Sequence, residues 1–583
     1  GPRVREASRR EDQDELRAQC YARSVLNRPS AKEWVGALAL FAALTVVFTW
    51  PFAARLRIVD AGDSAFFAWA IGWQTHALRA DPASLPHGNF YAPARYTFFM
   101  DEPVLGTGLL VLPLSLFTDD AVLLFNVARL LTWVLTGLFT WRLARDLEIQ
   151  NAPALAAGAF FAFSPIRVDQ VAHLSTLGTQ WIPLACLFAR RYGVDPALRH
   201  AAWAGVFFAL SFMACGYHGL FFAVLLPLSV APFLSGGQAR ALVLRAWPAA
   251  LTAGAFLIPL YLMSRAALAP LRFVRSNEDT LRYAASIETF FAANRWNRVW
   301  GGITESFRGD PSNLFPGVVV IALAALAVVR LRRKNGARSP RGLGLFVTLG
   351  LPAALLALGP EVRLRGASLM PGPFALLRAA APVFENVRAT GRAGIFVALA
   401  LAILAGAGLA TLRRPALASA VLSALFLLEA RIAPIPTPSW TNVIDTRLPE
   451  PAVYAWLRSL PPRTTIAELP ARAASDYGRP AFHDSIYMVW STRHWQTLVN
   501  GFAGAETPMI RRFRALAPAF PEPAAIDVMK EAGARYVVVH LRGFGPNQRE
   551  RLVAGTLSLA SRLREAARFP GPNGAADADV VYE

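Results

Sequence analysis

The chain has 583 residues, of which 54% are hydrophobic and only 17% charged. An ordinary soluble domain carries about 25% charged residues, so this composition, with long apolar runs recurring through the first three quarters, excludes a soluble protein and indicates a polytopic membrane protein. The formal net charge is +20, but the basic residues gather in short loops between apolar runs, as orientation signals do, and no nucleic-acid partner is expected.

The chain begins "GPR" rather than Met, which reads as a trimmed start and is set aside for fold reasoning. No cleavable signal peptide is visible, and residues 1–33 are expected to form a polar cytoplasmic tail. A span needs about 20 apolar residues. Runs near 34–56, 121–142, 150–166, 178–190, 201–215, 217–234, 244–265, 314–331, 343–359, 393–412 and 415–433 are predicted spans, some of them short enough to be tilted or broken. With the N-terminus inside, the loops "WRLARDLEI", "ARRYGVDPALRH", "GGQARALVLR", "RLRRKNGARSPRG" and "LRRP" all fall in the cytoplasm, and all are basic. The run Pro103–Phe117 breaks the alternation if it spans, so it is predicted to be interfacial or re-entrant. External loops then cover 57–120, 266–313 and 360–392, and the chain after Pro434 is external. That tail alternates helix-like "PAVYAWLRSL" and "AAIDVMKEAG" with strand-like "TTIAELP" and "ARYVVVH". The predicted fold is an all-α polytopic membrane domain over 34–433, with about eleven transmembrane helices and interfacial helices in its first external loop, plus a small external α/β domain over 434–583. Cys20, Cys186 and Cys215 suggest neither a disulfide framework nor a CxxC metal site.

Several polar groups stand out. Asp60 and Asp63 are spaced to share the first turn of a helix. Phe66, Trp69 and Trp73 follow as an apolar stripe suited to headgroup depth. Either one Asp caps a helix that paves the membrane surface, or the pair belongs to a site. Asp101 and Glu102 lie in the same loop, and such acidic clusters suit general-base work or metal binding. Arg388 and Arg392, four apart at the mouth of a span, either snorkel to the interface or grip a lipid-linked phosphate. Arg167, Asp169, His173 and Gln180 fall in one external turn, where polar groups near hydrocarbon should face a cavity. His173 is open to two readings, a hydrogen-bonded structural group or a metal ligand. The 275–300 loop mixes Arg, acids and aromatics, which suits sugar stacking or an amphipathic interfacial segment equally. HExxH, GxSxG, P-loop and dinucleotide motifs are absent. "GAGLAT" at Gly406 lies inside a span, where small residues let helices pack closely.

The pieces "GDSAFFAWAIGWQTHAL", "NFYAPARYTFFMDEPVL", "FAFSPIRVDQVAHLSTLGTQWIPL", "PVFENVRATGRAGIF" and "SIYMVWSTRHWQTLVNGFAG", in this order, resemble an uncharacterised bacterial branch of the C-type glycosyltransferase superfamily (GT-C). The resemblance implies a membrane enzyme using a polyprenyl-phosphate-linked sugar, with a catalytic carboxylate just after the first span and Asp63 in the "GD" position. It implies an inverting transfer to a glycan, lipid or protein acceptor on the external face of the bacterial inner membrane. Asp63 would be the base, with Asp60 the helix cap and the other carboxylate considered for that role. Asp101 and Glu102 would orient the acceptor or bind a divalent cation such as Mg or Mn. Arg388, Arg392 and Arg167 would hold the donor phosphate, and His173 and Gln180 would line the substrate site. In the tail, Tyr487, Trp490 and Trp495 would stack on sugar rings while Arg493, His494 and Asn500 make polar contacts, or this stretch is an ordinary core helix and turn. The superfamily's acidic pair is often DxD or ExD, whereas this chain has DxxD. A transporter or lipid flippase would instead place ionisable residues deep in spans and show an internal repeat. A non-catalytic envelope-assembly scaffold would keep the architecture without the chemistry. The orientation is testable: a cysteine introduced after Pro434 should react with an impermeant reagent on intact cells, and labelling only after lysis would reverse the topology.

Overall fold

A computed structural model of the chain describes residues 29–230, 236–308, 313–333, 341–432, 443–471, 483–559, 561–570 and 579–583. It is mostly helical. Each predicted apolar run holds an α-helix: Ala31–Thr49, Ala121–Asp146, Asn151–Ala162, Ile182–Val194, Leu198–Ala214, Gly216–Val230, Trp247–Leu268, Val318–Arg333, Arg341–Ala357, Gly394–Leu409 and Pro415–Ala430. Four stretches, Ala31–Thr49, Ala121–Asp146, Trp247–Leu271 and Thr390–Leu409, are long and apolar enough to cross a membrane. Sequence dictates the local detail. Ser30 and Glu33 form a reciprocal capping box that starts the first helix, at 3.2 and 2.8 Å. Thr45 and Thr49 return their hydroxyls to the backbone four residues earlier, which removes polar atoms from an apolar surface.

The chain divides into two compact units that do not follow chain order. One comprises 1–54, 129–259 and 274–436; the other comprises 55–128, 260–273 and 437–583. One division falls at 436/437, and residues 55–128 group with the C-terminal part.

The first unit is built around Gly394–Leu409, a helix apolar on every side and buried at every position except Leu401. It packs against Asn151–Ala162, Val318–Arg333 and Arg341–Ala357. Its glycines permit this: a Cβ on Gly406 would lie 2.8 Å from that of Ala157, and one on Gly408 would lie 2.2 Å from the Leu323 carbonyl oxygen.

The second unit contains a five-stranded sheet in the order Thr497–Leu498, Thr465–Leu469, Tyr536–His540, Asp579–Tyr582 and Glu565–Phe569. The first three strands are parallel and the last two join antiparallel. Tyr536–His540 is buried along its whole length, as a central strand should be. The first loop adds the helix Asp63–Ala80, which packs on His483–Ser491, and the strand Ile58–Asp60, antiparallel to Val443–Asp445. This overturns the interfacial reading of the aromatic stripe. Phe66, Trp69 and Trp73 are 2%, 0% and 7% exposed, and their polar edges find protein partners. The Trp69 indole donates to Asn89 at 2.8 Å and that of Trp73 to the Leu85 carbonyl at 2.9 Å. The run Pro103–Phe117 forms only short helical turns, and it leaves Leu116 and Phe117 exposed at 69% and 86%.

One buried charge cluster ties the sheet together. His540 bridges Asp579 and Glu468, 2.8 Å to each, and Tyr454 also donates to Glu468 at 3.0 Å. Burial alone would lower the pKa of His540, but the hydrogen bonds and charges of the two carboxylates outweigh it and raise it to about 9. Folding therefore takes up a proton here. This contribution, about 3 kcal/mol, is complete below the ordinary imidazole value of 6.5 and disappears as pH rises through about 9. Melting of the full-length protein should thus occur at lower temperature as pH rises over that window. His540→Gln should flatten the dependence and destabilise by about 3 kcal/mol or more.

Candidate functional site

The carboxylates of the first loop are placed by a sharp turn. The helix starts at Asp63, and its N-cap is Gly62, with φ +88° and ψ −138°, a region that strains any side chain. Gly62 donates its N–H to Ser485 Oγ at 2.8 Å. Asp60 ends the preceding strand opposite Val443 and does not cap the helix, which corrects the expectation that it would. The cap is a backbone device, so Asp63 alone occupies the first turn, exposed, where the helix dipole favours the anion.

Asp101 accepts two backbone N–H groups, from Glu102 at 2.7 Å and from Gly504 at 2.6 Å. Desolvation pushes its pKa up to about 6, and the charges of Glu102 and Asp63 add to the rise, against those two hydrogen bonds. Asp63 and Glu102 therefore both act on Asp101, which is poised to exchange a proton near neutral pH. As a cation site the set is poor. Each Asp101 oxygen already accepts an N–H, and among the described residues no group of three or more His, Cys, Asp or Glu side chains is arranged to hold a metal.

The first unit holds a second cluster. Arg167 is fully buried, donates to the carbonyls of Ala162 and, at 2.9 Å, Leu177, and lies over the rings of Trp133 and Phe161. Arg392 lies 4.5 Å over the ring of Tyr217, and Arg388 lies 4.4 Å over that of Tyr283 while its N–H reaches the Tyr217 hydroxyl at 3.4 Å. His218, fully buried, feels the charges of both Arg392 and Arg167. Two distant parts of the chain thus meet at Tyr217–His218: Arg167 and Arg392 act on it through their charges, and Arg388 reaches it through its backbone N–H. Arg167 is received by carbonyls and rings and Arg388 by a ring, and among the described residues Arg167 Nε and Arg388 Nε are buried without hydrogen-bond partners.

Other predicted residues are placed differently. Asp169 accepts from Asn294 and, at 3.3 Å, from Asn313. His173 is half-buried beside it, and Gln180 is fully buried. In the tail, the inward-facing side of His483–Ser491 takes up side chains that a sugar would need free. Tyr487 bonds the Pro470 carbonyl at 3.2 Å and stacks on His540, His494 stacks on Tyr454 and accepts from Gln496 N–H, and Asn500 links Glu468 to Asp484. These three are interior residues, contrary to the sugar-contact expectation. Trp490 and Trp495 are half-buried, stacked on Tyr454 and His76 at 5.4 and 4.1 Å, and Arg493 lies 4.0 Å from Asp120. Sequence reasoning missed Gly504, Tyr217, His218 and Tyr283. For the dipeptide the available signal was an imidazole inside an apolar run.

If the arginine cluster binds phosphate, Arg388→Ala or Arg392→Ala should weaken binding of undecaprenyl phosphate to the purified protein about tenfold, or about 1.4 kcal/mol. Lys should restore it poorly, because a point charge does not reproduce a fork. Unchanged affinity in both Ala variants would return these side chains to interfacial snorkelling.

Comparison with solved structures gives likenesses at low identity over most of the chain, to membrane glycosyltransferases of the C type. The oligosaccharyltransferase AglB of Archaeoglobus fulgidus, solved with an inhibitory peptide and a dolichol-phosphate, is 14% identical, with 93% of this chain and 73% of that one covered and a TM-score of 0.44. ArnT from Cupriavidus metallidurans in the apo state is 12% identical over 94% of this chain and 98% of that one, TM-score 0.49. The arabinofuranosyltransferase AftD from Mycobacteria is 15% identical over 95% of this chain and 42% of that one, TM-score 0.43. All three TM-scores lie below 0.5, so these likenesses carry neither substrate nor mechanism over to this chain. No curated protein matches it. The family model described as a domain of unknown function, DUF6311, matches residues 62–430, more than half of the 583 residues, and the chain belongs to that family.

Proposed function

We propose that this membrane protein is an inverting glycosyltransferase that moves a sugar from a polyprenyl-phosphate donor to a cell-envelope acceptor at the external membrane face. The observation that carries the reading is the electrostatic influence of Asp63, at an exposed helix N-terminus, and of Glu102 on Asp101, whose carboxyl is shifted to about 6. In this mechanism Asp63 takes the proton of an acceptor hydroxyl. The acceptor oxygen forms its bond to the anomeric carbon from the face opposite the phosphate, and the carbon–oxygen bond to the lipid phosphate breaks with its electron pair leaving on the phosphate. Arg388, Arg392 and Arg167 offset that charge. Asp101 and Glu102 orient the acceptor and share its proton. The arginine cluster supports the reading independently, since guanidinium groups held on carbonyls and rings, Arg167 buried and Arg388 and Arg392 half-buried, suit a phosphate.

The test is Asp63→Asn, which keeps shape and removes charge. With membranes supplying the acceptor and a radiolabelled polyprenyl-phosphate sugar as donor, transfer should fall at least a hundredfold, in the range general-base catalysis supplies, while binding of the lipid phosphate is retained. Asp60→Asn should have a smaller effect. Loss of transfer in Asp60→Asn but not in Asp63→Asn would reassign the base. Normal turnover in both would dismiss the transferase mechanism.

A further inference from the structure

We propose that Arg514, acting with the neighbouring pair Asp484 and Ser485, is a positioning residue that sets the two key carboxylates of the first loop from the far end of the chain. The inference rests on the reading of Asp63 and Asp101 given above, but its geometry lies wholly within the second unit.

Asp484 and Ser485 are consecutive residues of the helix His483–Ser491, both buried. Ser485 receives the N–H of Gly62, the residue from which the Asp63 helix starts. Asp484 receives Arg514 Nε and Nη2 at 3.1 and 2.9 Å on one oxygen, and Asn500 Nδ2 at 3.0 Å on the other. Arg514 is 7% exposed, and its remaining donors go to the Gly501 carbonyl at 2.6 Å and to the Glu506 carboxylate. One guanidinium thus grips both ends of the 501–506 loop. From that loop Gly504 N–H reaches Asp101 at 2.6 Å and Ala505 N–H reaches the Met100 carbonyl at 3.0 Å. One helical step therefore fixes both the turn that presents Asp63 and, through Arg514, the donor that holds Asp101. A buried ion pair is weak evidence for stability alone, and a fork spanning three acceptors is a geometric device that Lys does not reproduce.

The test reads Asp101 without requiring turnover. The probe is a water-soluble carbodiimide with glycinamide, which couples to protonated carboxyls; peptide mass spectrometry follows coupling at Asp101 and Asp63 against pH in the full-length protein in detergent. Glu102 and Asp63 are the charged groups acting on Asp101. In the wild type, coupling at Asp101 should fall as pH rises through about 6. Arg514→Gln should release the loop and remove a hydrogen bond that favours the anion. The fall should then move up by about one unit, giving about fivefold more coupling at pH 7, with Asp63 unchanged. Arg514→Lys should behave in the same direction, and it serves alone if the Gln variant does not fold. Gly504→Pro, which deletes the donor itself at an exposed loop position, should reproduce the shift. A wild-type Asp101 profile in a folded Arg514 variant overturns the proposal, as does an equal rise at Asp63 and Asp101, which would mark general loosening. Because transfer is not measured, these outcomes stand apart from the fate of the transferase reading.

Discussion

A polar group taken out of water must find another polar group, and in a chain this apolar that requirement organises everything else. In the first unit Glu429 meets the N–H groups of Val318 and Val319 at 3.3 and 3.1 Å and the Trp300 indole at 3.2 Å, which closes the start of the Val318–Arg333 helix. In the second unit Asn89 accepts from Trp69 and donates to Ser491 and to the Gln496 carbonyl. Asp120 caps the Ala121–Asp146 helix through the N–H groups of Val122 and Leu123. At these positions the fold supplies each buried polar group with a partner. Among the described residues, Arg167 Nε and Arg388 Nε lack such partners, and Asp101 keeps its two N–H donors while burial shifts its proton affinity upward.

The two clusters are chemically complementary. In one, burial, aided by the charges of Glu102 and Asp63, raises the Asp101 carboxyl to about 6. The other places guanidinium groups on rings and carbonyls. Taken separately, the first property suits proton removal and the second suits an anionic ligand.

The helices of the first unit were legible because a run of apolar residues long enough for a bilayer has few other uses. The acidic loop was legible for a similar reason: carboxylates beside spans are costly enough to need explaining. What periodicity cannot tell is whether an apolar face meets lipid or protein. Phe66, Trp69 and Trp73 have the spacing of an interfacial stripe, yet they are buried within the second unit, because their partners at Asn89 and Trp495 come from segments that no local pattern connects. The same limit hid Gly504, whose contribution to Asp101 is a backbone N–H and so leaves no mark on residue type. It also assigned the helix cap to Asp60, since the positive φ of Gly62 is visible only in three dimensions.

The second unit joins the first loop to segments about four hundred residues later: Asn89 to Ser491 and Gln496, with separations of 402 and 407 residues. A ribosome adds about 5–20 residues per second, so on the order of half a minute passes between emergence of the loop and emergence of its partners. Through that interval Asp101 lacks the Gly504 donor and Gly62 lacks Ser485. Completion of this unit is therefore a late event in biosynthesis. A chain interrupted between the end of the first loop and residue 504 carries all of that loop's acids and none of the order that the Gly504 contact gives them.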